Sequence, residues 1–477
     1  MDPRLSAVLK ANDLRGVYPD QLDVSMAYEI GRVIPPALQV SRVAVARDAR
    51  LSSPELYAAL IRGVEAAGGT TGRLGVCPTE FLYYTLGYMD DFDLGVMITA
   101  SHNPPRYNGL KLCGASAQPL GREALGELLS RVRLDDTPEF EAEAIPAQTV
   151  HAGPPYLDYA LRLVDLPDDI ADMDVVVDPG NGVGGVMWEL IAERTGLEPV
   201  QLNFEPDGSF PAHLPDTSES ANLRELRERV AESDARLGLA YDGDSDRVAV
   251  VTADGGIMQA EEAALAVRNR VLQREGDGRM ALSMAASRHV LDTLREQGRP
   301  PVLVPVGHSK VKKAMRRNSK LAFAAESSGH FYYRRFCCCD STLLTTLHLL
   351  ALAGGGGLER TLRDLHRGWY RPDSQPSFYY ADPDEARAAC RRVARQMIRN
   401  YPGWDEIACE VDGFIRRQCR PEVVDASDGV RVDYPAWWFC VRPSGTEPKA
   451  RLMLESRQQH ELAHRRAELE ELFSDES

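Results

Sequence analysis

Short apolar runs recur along this chain, each closed by a polar or glycine-containing turn, and no single core can absorb them all. Val43–Ala46, Leu74–Cys77 and Leu94–Ile98 come first; Met173–Val177, Leu237–Ala240 and Val248–Thr252 follow; Met280–Met284, Val302–Val306 and Leu321–Ala325 come last. Between them lie stretches with helical signals. Ser53-Pro54-Glu55 opens one: the serine is a candidate cap and proline suits a first turn. That helix is expected to run to Ala67 and stop at Gly68-Gly69. Leu343–Leu352 reads as another, stopped by Gly354–Gly357. Strands alternating with helices predict an α/β fold with mostly parallel sheets. At about 100–200 residues per domain, the 477 residues imply about three or four domains. Changes of texture put divisions near 145, 255 and 370, and the last segment is more aromatic and less regular.

Composition narrows the function. The formal charge of -16 argues against a nucleic-acid partner, because phosphate backbones need a basic face. A small anionic substrate stays compatible, since a local arginine pocket overrides a distant acidic surface. No apolar run reaches the roughly 18 residues of a membrane span, so no membrane partner is expected. Met1-Asp2-Pro3-Arg4 lacks the basic-then-apolar shape of a signal peptide. Nine cysteines are an odd number without disulfide-scaffold density, and a reducing cytoplasm fits them. Cys337-Cys338-Cys339 has no accompanying CxxC pair and reads as packing, because adjacent residues rarely converge on one tetrahedral ion.

Five loops carry the candidate chemistry. Thr99-Ala100-Ser101-His102-Asn103-Pro104 follows the Leu94–Ile98 run and places a hydroxyl where a buried strand ends. A serine alone is a weak nucleophile. No G-x-S-x-G elbow is present, and adjacent side chains such as Ser101 and His102 usually diverge, so a phosphorylated serine accounts for the loop better than a hydrolase serine. An ordinary polar turn is the bland alternative. Lys111, after Asn108-Gly109, is placed to stabilise a transferring group or shuttle a proton, and His102 to orient a serine phosphate. Asp242-Gly243-Asp244-Ser245-Asp246-Arg247 follows a second apolar run. Alternating carboxylates of that kind suit magnesium, with Gly243 allowing the tight turn and Arg247 balancing charge. The calcium-loop pattern fails where Arg247 stands; a solvated acidic turn remains open.

Arg442-Pro443-Ser444-Gly445-Thr446-Glu447-Pro448 offers a guanidinium, hydroxyls and backbone N–H groups, a cradle for a phosphate dianion or else a surface turn. It lacks the lysine-serine ending of a nucleotide loop. Glu326-Ser327-Ser328-Gly329-His330 offers a carboxylate, hydroxyls and an imidazole suited to sugar hydroxyls. Gly307-His308-Ser309-Lys310 brings His308 or Lys310 to the same cleft, or serves structure only.

On the segments beginning at Thr99, Asp242, Glu326 and Arg442, with Asn12–Gly16 and Arg47-Asp48-Ala49-Arg50, the chain resembles the α-D-phosphohexomutase family, most closely its bacterial phosphomannomutase/phosphoglucomutase branch, over nearly its whole length. The resemblance implies a heart-shaped α/β protein of four domains: three similar mixed α/β domains and a smaller α+β C-terminal domain. They would be residues 1–145 with a phosphoserine loop, 146–255 with a magnesium loop, 256–370 with a sugar loop and 371–477 with a phosphate loop. It implies that Ser101 carries phosphate and, with Asp242, Asp244 and Asp246, holds Mg2+. Arg15, His102, Lys111, Arg247 and His308 would line the reacting site. Glu326, Ser328, His330 and Lys310 would bind the sugar, and Arg442, Ser444, Gly445 and Thr446 the phosphate that stays. Hexose 1,6-bisphosphate would be intermediate and activator, and the substrate a phosphorylated glucose or mannose.

Three positions depart from the family pattern. Ala325 stands before Glu326 in place of glycine, Ser283–Ser287 contains no lysine, and Cys338-Cys339-Asp340-Ser341 replaces an acidic-glycine segment. Lys310 is a candidate to replace the missing charge. The alternatives are a phosphoglucosamine mutase, a phosphosugar hydrolase, or a sugar-phosphate-binding protein with impaired turnover. Monomer and homodimer are both compatible.

Overall fold

The computed structural model describes residues 2–89, 91–134, 147–274, 278–354, 357–358, 368–372, 376–398, 416–419, 422–425, 429–434, 436–444 and 448–474. They fall in two compact units, residues 1–278 with 315–362 and residues 279–314 with 363–477.

In the first unit, the N-terminal sheet runs in the order Leu14–Val17, Tyr107–Gly114, Leu94–Ile98, Arg42–Arg47, Thr70–Val76, with Gln118–Pro119 added beside Tyr107–Gly114. Arg42–Arg47 is parallel to both Thr70–Val76 and Leu94–Ile98. Tyr107–Gly114 is antiparallel to Leu94–Ile98 and to Leu14–Val17. The sheet is therefore mixed where a mostly parallel one was expected. The connection 99–106 is too short for the helical crossover that parallel neighbours need, so the chain returns directly alongside. Leu94–Ile98 is buried at every position, as an internal strand's unbroken apolar run requires. Helices Val24–Leu38 and Ser53–Ala66 supply Ile30, Ile34, Leu56 and Leu60 to one continuous core with Val43, Val45 and Val96. Full burial of such side chains contributes roughly 1.5–3 kcal/mol each.

A second sheet has the order Ile257–Met258, Val248–Thr252, Leu237–Tyr241, Val175–Asp178, Val200–Gln201. Leu237–Tyr241 and Val248–Thr252 pair antiparallel, so the aspartate segment is the tip of a hairpin. Leu321–Ala325 and Phe331–Tyr333 form another hairpin, with Cys339–Asp340 pairing beyond it. Helix Thr342–Gly354 follows, buried along almost its whole length.

The second unit contains the parallel pair Arg279–Ser283 and Val302–Val304. It also contains a six-stranded antiparallel sheet in the order Ser377–Tyr379, Lys449–Ser456, Trp437–Pro443, Val430–Asp433, Glu422–Asp425, Arg416–Cys419. Helices Pro383–Ile398 and Gln459–Ser474 pack on this sheet through Val393, Ala394, Leu469 and Phe473. Among the described residues, no helix is long and apolar enough to cross a membrane. The cysteines of the 337–339 run are free thiols.

Candidate active site

Ser101 is held in a left-handed turn (φ 49°) and is almost fully buried. Its N–H donates to Thr99 Oγ1 at 2.8 Å. The turn is built around Arg50, whose side chain is fully buried. Arg50 Nη2 donates to the carbonyls of Ser101 and Asn103, both at 2.7 Å. Its Nη1 donates to those of Pro104 and Tyr107 at 2.8 and 3.0 Å. Asp48 secures the guanidinium at 3.1 Å and also accepts from the Arg50 N–H and Ser53 Oγ. Ser53 was expected to cap its helix. The structure makes Ser52 the cap position without a side-chain bond, because both hydroxyls are engaged by Asn108 of strand Tyr107–Gly114, whose Nδ2 donates to each.

The His102 ring does not diverge from its neighbour as expected. The left-handed turn brings Nδ1 to 3.2 Å from Ser101 Oγ. The hydroxyl itself donates to Asp242 Oδ2 at 2.7 Å. Arg15, mid-strand in Leu14–Val17, reaches the far side of the loop through Asn103 Oδ1 at 2.7 Å and is held by Asp13.

The hairpin tip gathers Asp242, Asp244 and Asp246, all buried, with one ligand oxygen from each within 4.8 Å of the others. Gly243 is required there: a Cβ would stand 2.5 Å from the Ser101 carbonyl oxygen. The N–H groups of Asp246 and Arg247 donate to Asp242 Oδ1 at 3.0 and 3.1 Å. Thr79 Oγ1 donates to Asp244 Oδ2 at 2.7 Å. Lys111, opposite Met97 in the sheet, donates to Asp244 and Asp246 at 2.6 Å each. Burial alone would lower this ammonium, but the two carboxylates outweigh it and hold it above its ordinary range. In this arrangement Lys111 is the counter-ion of Asp244 and Asp246. Arg247 Nε lies 3.7 Å from Asp242 Oδ2. Burial, with Asp246 and Asp244 close by, pushes Asp242 well above the usual carboxylate range. Burial would raise Asp246 too, but Lys111 and His330 outweigh it and hold it well below.

The carboxylate set fits a hard cation. Three oxygens converge, and Asp244 Oδ1 is buried with no hydrogen-bond partner among the described residues. Uncompensated buried carboxylate oxygens of this kind are costly unless a cation completes them.

The sugar-loop hairpin meets this cluster. His330 Nε2 is 3.3 Å from Asp246 Oδ1, and Ser328 Oγ is 2.8 Å from His330 Nδ1. Tyr332 Oη donates to Glu326, and the Glu326 N–H donates to the His330 carbonyl at 3.0 Å. The first unit therefore brings Ser101, His102, Lys111, Arg15, the three aspartates, Arg247, Glu326, Ser328 and His330 into one contiguous network. In the second unit, His308 and Lys310 open the helix His308–Arg317. Arg442 lies near the end of strand Trp437–Pro443, and the Ser444 N–H donates to the Lys449 carbonyl at 2.7 Å. Gly445 and Thr446 lie outside the described residues.

The site also contains residues that the sequence reading did not assign. Arg50 sits in a segment already noted, but nothing in a sequence shows four carbonyls converging on it. Thr79 and Glu80 open helix Thr79–Tyr88. Glu80 accepts from Tyr156 Oη at 2.6 Å, Thr342 Oγ1 at 2.8 Å and the Leu343 N–H at 3.1 Å, while Thr342 Oγ1 also reaches the Ser245 carbonyl at 2.9 Å. Burial pushes the Glu80 carboxyl up to about 7.

Comparison with known proteins gives four matches in chain order. The family models for phosphoglucomutase/phosphomannomutase match as follows: alpha/beta/alpha domain I to residues 7–138, domain II to 154–255, domain III to 261–371 and the C-terminal domain to 407–472. A phosphomannomutase/phosphoglucomutase of Pseudomonas aeruginosa is 32% identical over 464 residues, covering 96% of this chain and 93% of its own. A phosphoglucomutase of Neisseria gonorrhoeae is 35% identical over 326 residues, 68% of this chain and 69% of its own. A solved structure of a phosphoglucomutase/phosphomannomutase family protein from Burkholderia thailandensis aligns with a TM-score of 0.78 at 28% identity, covering 99% of this chain and 97% of that one. The expected succession of three α/β domains and a distinct C-terminal domain is the one these matches describe.

Proposed function

This chain belongs to the phosphoglucomutase/phosphomannomutase family, and we propose that it interconverts hexose 1-phosphate and hexose 6-phosphate, with glucose, mannose or both as the sugar, through a phosphorylated Ser101. The observation that carries this reading is the 2.7 Å contact of Ser101 Oγ with Asp242, one of three carboxylates placed to hold a divalent cation. In the first half-reaction the P–O bond to Ser101 Oγ breaks as the free sugar hydroxyl oxygen bonds to phosphorus, and the hydroxyl proton ends on Ser101 Oγ, giving a hexose 1,6-bisphosphate. In the second, the intermediate has turned over and its other phosphoryl group transfers to Ser101 Oγ, whose proton ends on the sugar oxygen released.

Asp242, Asp244 and Asp246, with the serine phosphate, would hold Mg2+, which when bound supplies charge neutralisation on the transferring group. The rest falls to the chain's own side chains. Arg50 fixes the serine loop in one conformation, so the attack geometry is set before substrate arrives. Lys111 and Arg247 keep the aspartates from repelling one another. Glu326 and Ser328 take sugar hydroxyls, held in place by Tyr332 and His330. Arg442, Ser444, Gly445 and Thr446 take the phosphate that is not being transferred, while His308 acts on the reacting group and Lys310 binds the sugar. The same reading proposes domain divisions at 145/146, 255/256 and 370/371, a cytoplasmic location, and a monomer or homodimer.

A primed assay tests it. Glucose 1-phosphate and mannose 1-phosphate are supplied in turn with magnesium and a trace of the matching 1,6-bisphosphate, using the intact chain and Ser101→Ala. Isomerisation lost in Ser101→Ala supports the reading, and the ratio of rates names the sugar. Release of inorganic phosphate without isomerisation would indicate a hydrolase. Binding without either reaction would indicate a sugar-phosphate-binding protein.

A further inference from the structure

The second unit holds a buried cluster that the chemistry above leaves unused. Arg431, in strand Val430–Asp433, is fully buried. Its Nε and Nη2 donate to Asp433 Oδ1 at 3.1 and 2.8 Å. Its Nη1 donates to the carbonyls of Met284 at 2.8 Å and Ala286 at 2.6 Å. The guanidinium lies 4.0 Å over the Trp438 ring. On the neighbouring strands, Trp438 Nε1 donates to Glu455 Oε2 at 2.6 Å, and that same oxygen accepts the Arg288 N–H at 3.0 Å. Met284 and Ala285 pack against Trp438, Cys440 and Met453. Three adjacent strands therefore grip one short segment, residues 284–288.

That segment is the loop after Arg279–Ser283, a strand parallel to Val302–Val304. Loops at such strand ends are where open α/β sheets place ligands. The loop is tight, with the Ala286 N–H on the Ser283 carbonyl at 2.9 Å. Its two hydroxyls, Ser283 Oγ and Ser287 Oγ, are buried and have no hydrogen-bond partner among the described residues. Ser287 is the cap position of helix Arg288–Glu296, yet its side chain makes no cap bond. The carbonyl side of the turn is satisfied by Arg431 while its hydroxyl side is uncommitted. On the other side of Arg431, its pairing partner across the sheet is Cys440, two residues before Arg442.

Resting on the functional reading above, we propose that Arg431 is a positioning residue for the isomerisation. It locks the Ser283–Ser287 turn to strand Trp437–Pro443, which carries Arg442, so that the turn and Arg442 bind substrate as one body. The role needs arginine. A planar fork can hold a carboxylate on one edge and carbonyls on the other while stacking on an indole; a lysine ammonium presents one nitrogen and can do only one of these.

Two measurements on the full chain test this. Hydrogen exchange of residues 283–288 is followed with and without saturating inorganic phosphate, in wild type, Arg431→Lys and Trp438→Phe. Trp438→Phe removes the indole N–H to Glu455 and part of the ring on which Arg431 stacks, and provides a second handle should Arg431→Lys fold poorly. Phosphate is expected to slow exchange in the turn of wild type, and to do so less or not at all in the variants. Steady-state kinetics on glucose 1-phosphate then compare Arg431→Lys, Ser287→Ala and the double variant. Arg431→Lys is expected to raise KM about tenfold with kcat changed less than about threefold, and Ser287→Ala to add little on top of it. Protection that survives Arg431→Lys, no protection in wild type, or fully additive kinetic losses would overturn the proposal. Phosphate-dependent protection in a chain that isomerises nothing would support the coupling and refute the functional reading, because the exchange measurement needs no turnover.

Discussion

At the aspartate hairpin, three buried carboxylates face two full cations, Lys111 and Arg247, and Asp244 Oδ1 is left without a hydrogen bond among the described residues. Around Arg431 the balance is the reverse: each guanidinium nitrogen has an acceptor, and Asp433 is shared with Arg288 at 3.4 Å. Both clusters are equally buried, so burial does not tell a site from a strut. Incomplete satisfaction does. A cluster that stops one cation short is built to receive one, whereas a closed cluster holds chain segments together.

The comparison can be broken most forcefully at its closed end. Arg431→Met strands the two carbonyls and Asp433, and is expected to cost about 3–5 kcal/mol in a urea melt. It should leave intact any rise in melting temperature that magnesium produces. At the open end, Asp244→Asn is expected to lower kcat about 10²–10³-fold, equivalent to about 3–4 kcal/mol. It should abolish the magnesium-dependent rise in melting temperature while changing metal-free stability by no more than about 1 kcal/mol, since relief of like-charge repulsion offsets the lost Lys111 contact. If the two variants behaved alike toward magnesium, the distinction between the clusters would fail.

Glu80 sharpens the comparison from between the two extremes, since it is fully hydrogen-bonded yet has no cation among its hydrogen-bond partners. Its carboxyl is raised by burial from 4.5 to about 7, so the fold keeps a proton there that the unfolded chain has released. The folded form then binds more protons between these values. Its contribution is complete below the ordinary glutamate range and is lost as pH rises through about 7. Relative to Glu80→Gln, wild type is expected to lose on the order of 3 kcal/mol between about pH 4.5 and pH 8, read from urea melts at each pH. The smallest effect is expected for Arg50→Lys: about 2 kcal/mol of stability and about tenfold in kcat, because lysine keeps the charge beside Asp48 but cannot hold four carbonyls.

The open cluster was legible in the sequence, and the closed one was not. Asp242, Asp244 and Asp246 crowd into five residues after an apolar run, and Ser101 and Glu326 each follow another, so strand ends advertise themselves. Arg431 and Asp433 instead alternate with Val430 and Val432, a pattern that reads as a strand with one face in water. All four are buried, because the charged face pairs internally and covers the 284–288 turn. Pairing across separations of 51 to 262 residues leaves no local trace. The same reason hid Arg50, Thr79 and Glu80. The mixed order of the first sheet escaped for a different reason: strand direction depends on the connection 99–106, whose polar composition suits a ligand loop and a tight return equally.

The measurement that tests the account most directly is the location of phosphate on the protein. The intact chain is incubated with magnesium and glucose 1,6-bisphosphate, freed of small molecules, and mapped by peptide mass spectrometry. The account predicts one stable phosphate on Ser101, passed on when glucose 1-phosphate or glucose 6-phosphate is added. An unmodified Ser101, or phosphate held on His102 or elsewhere and not transferable to sugar, would contradict it.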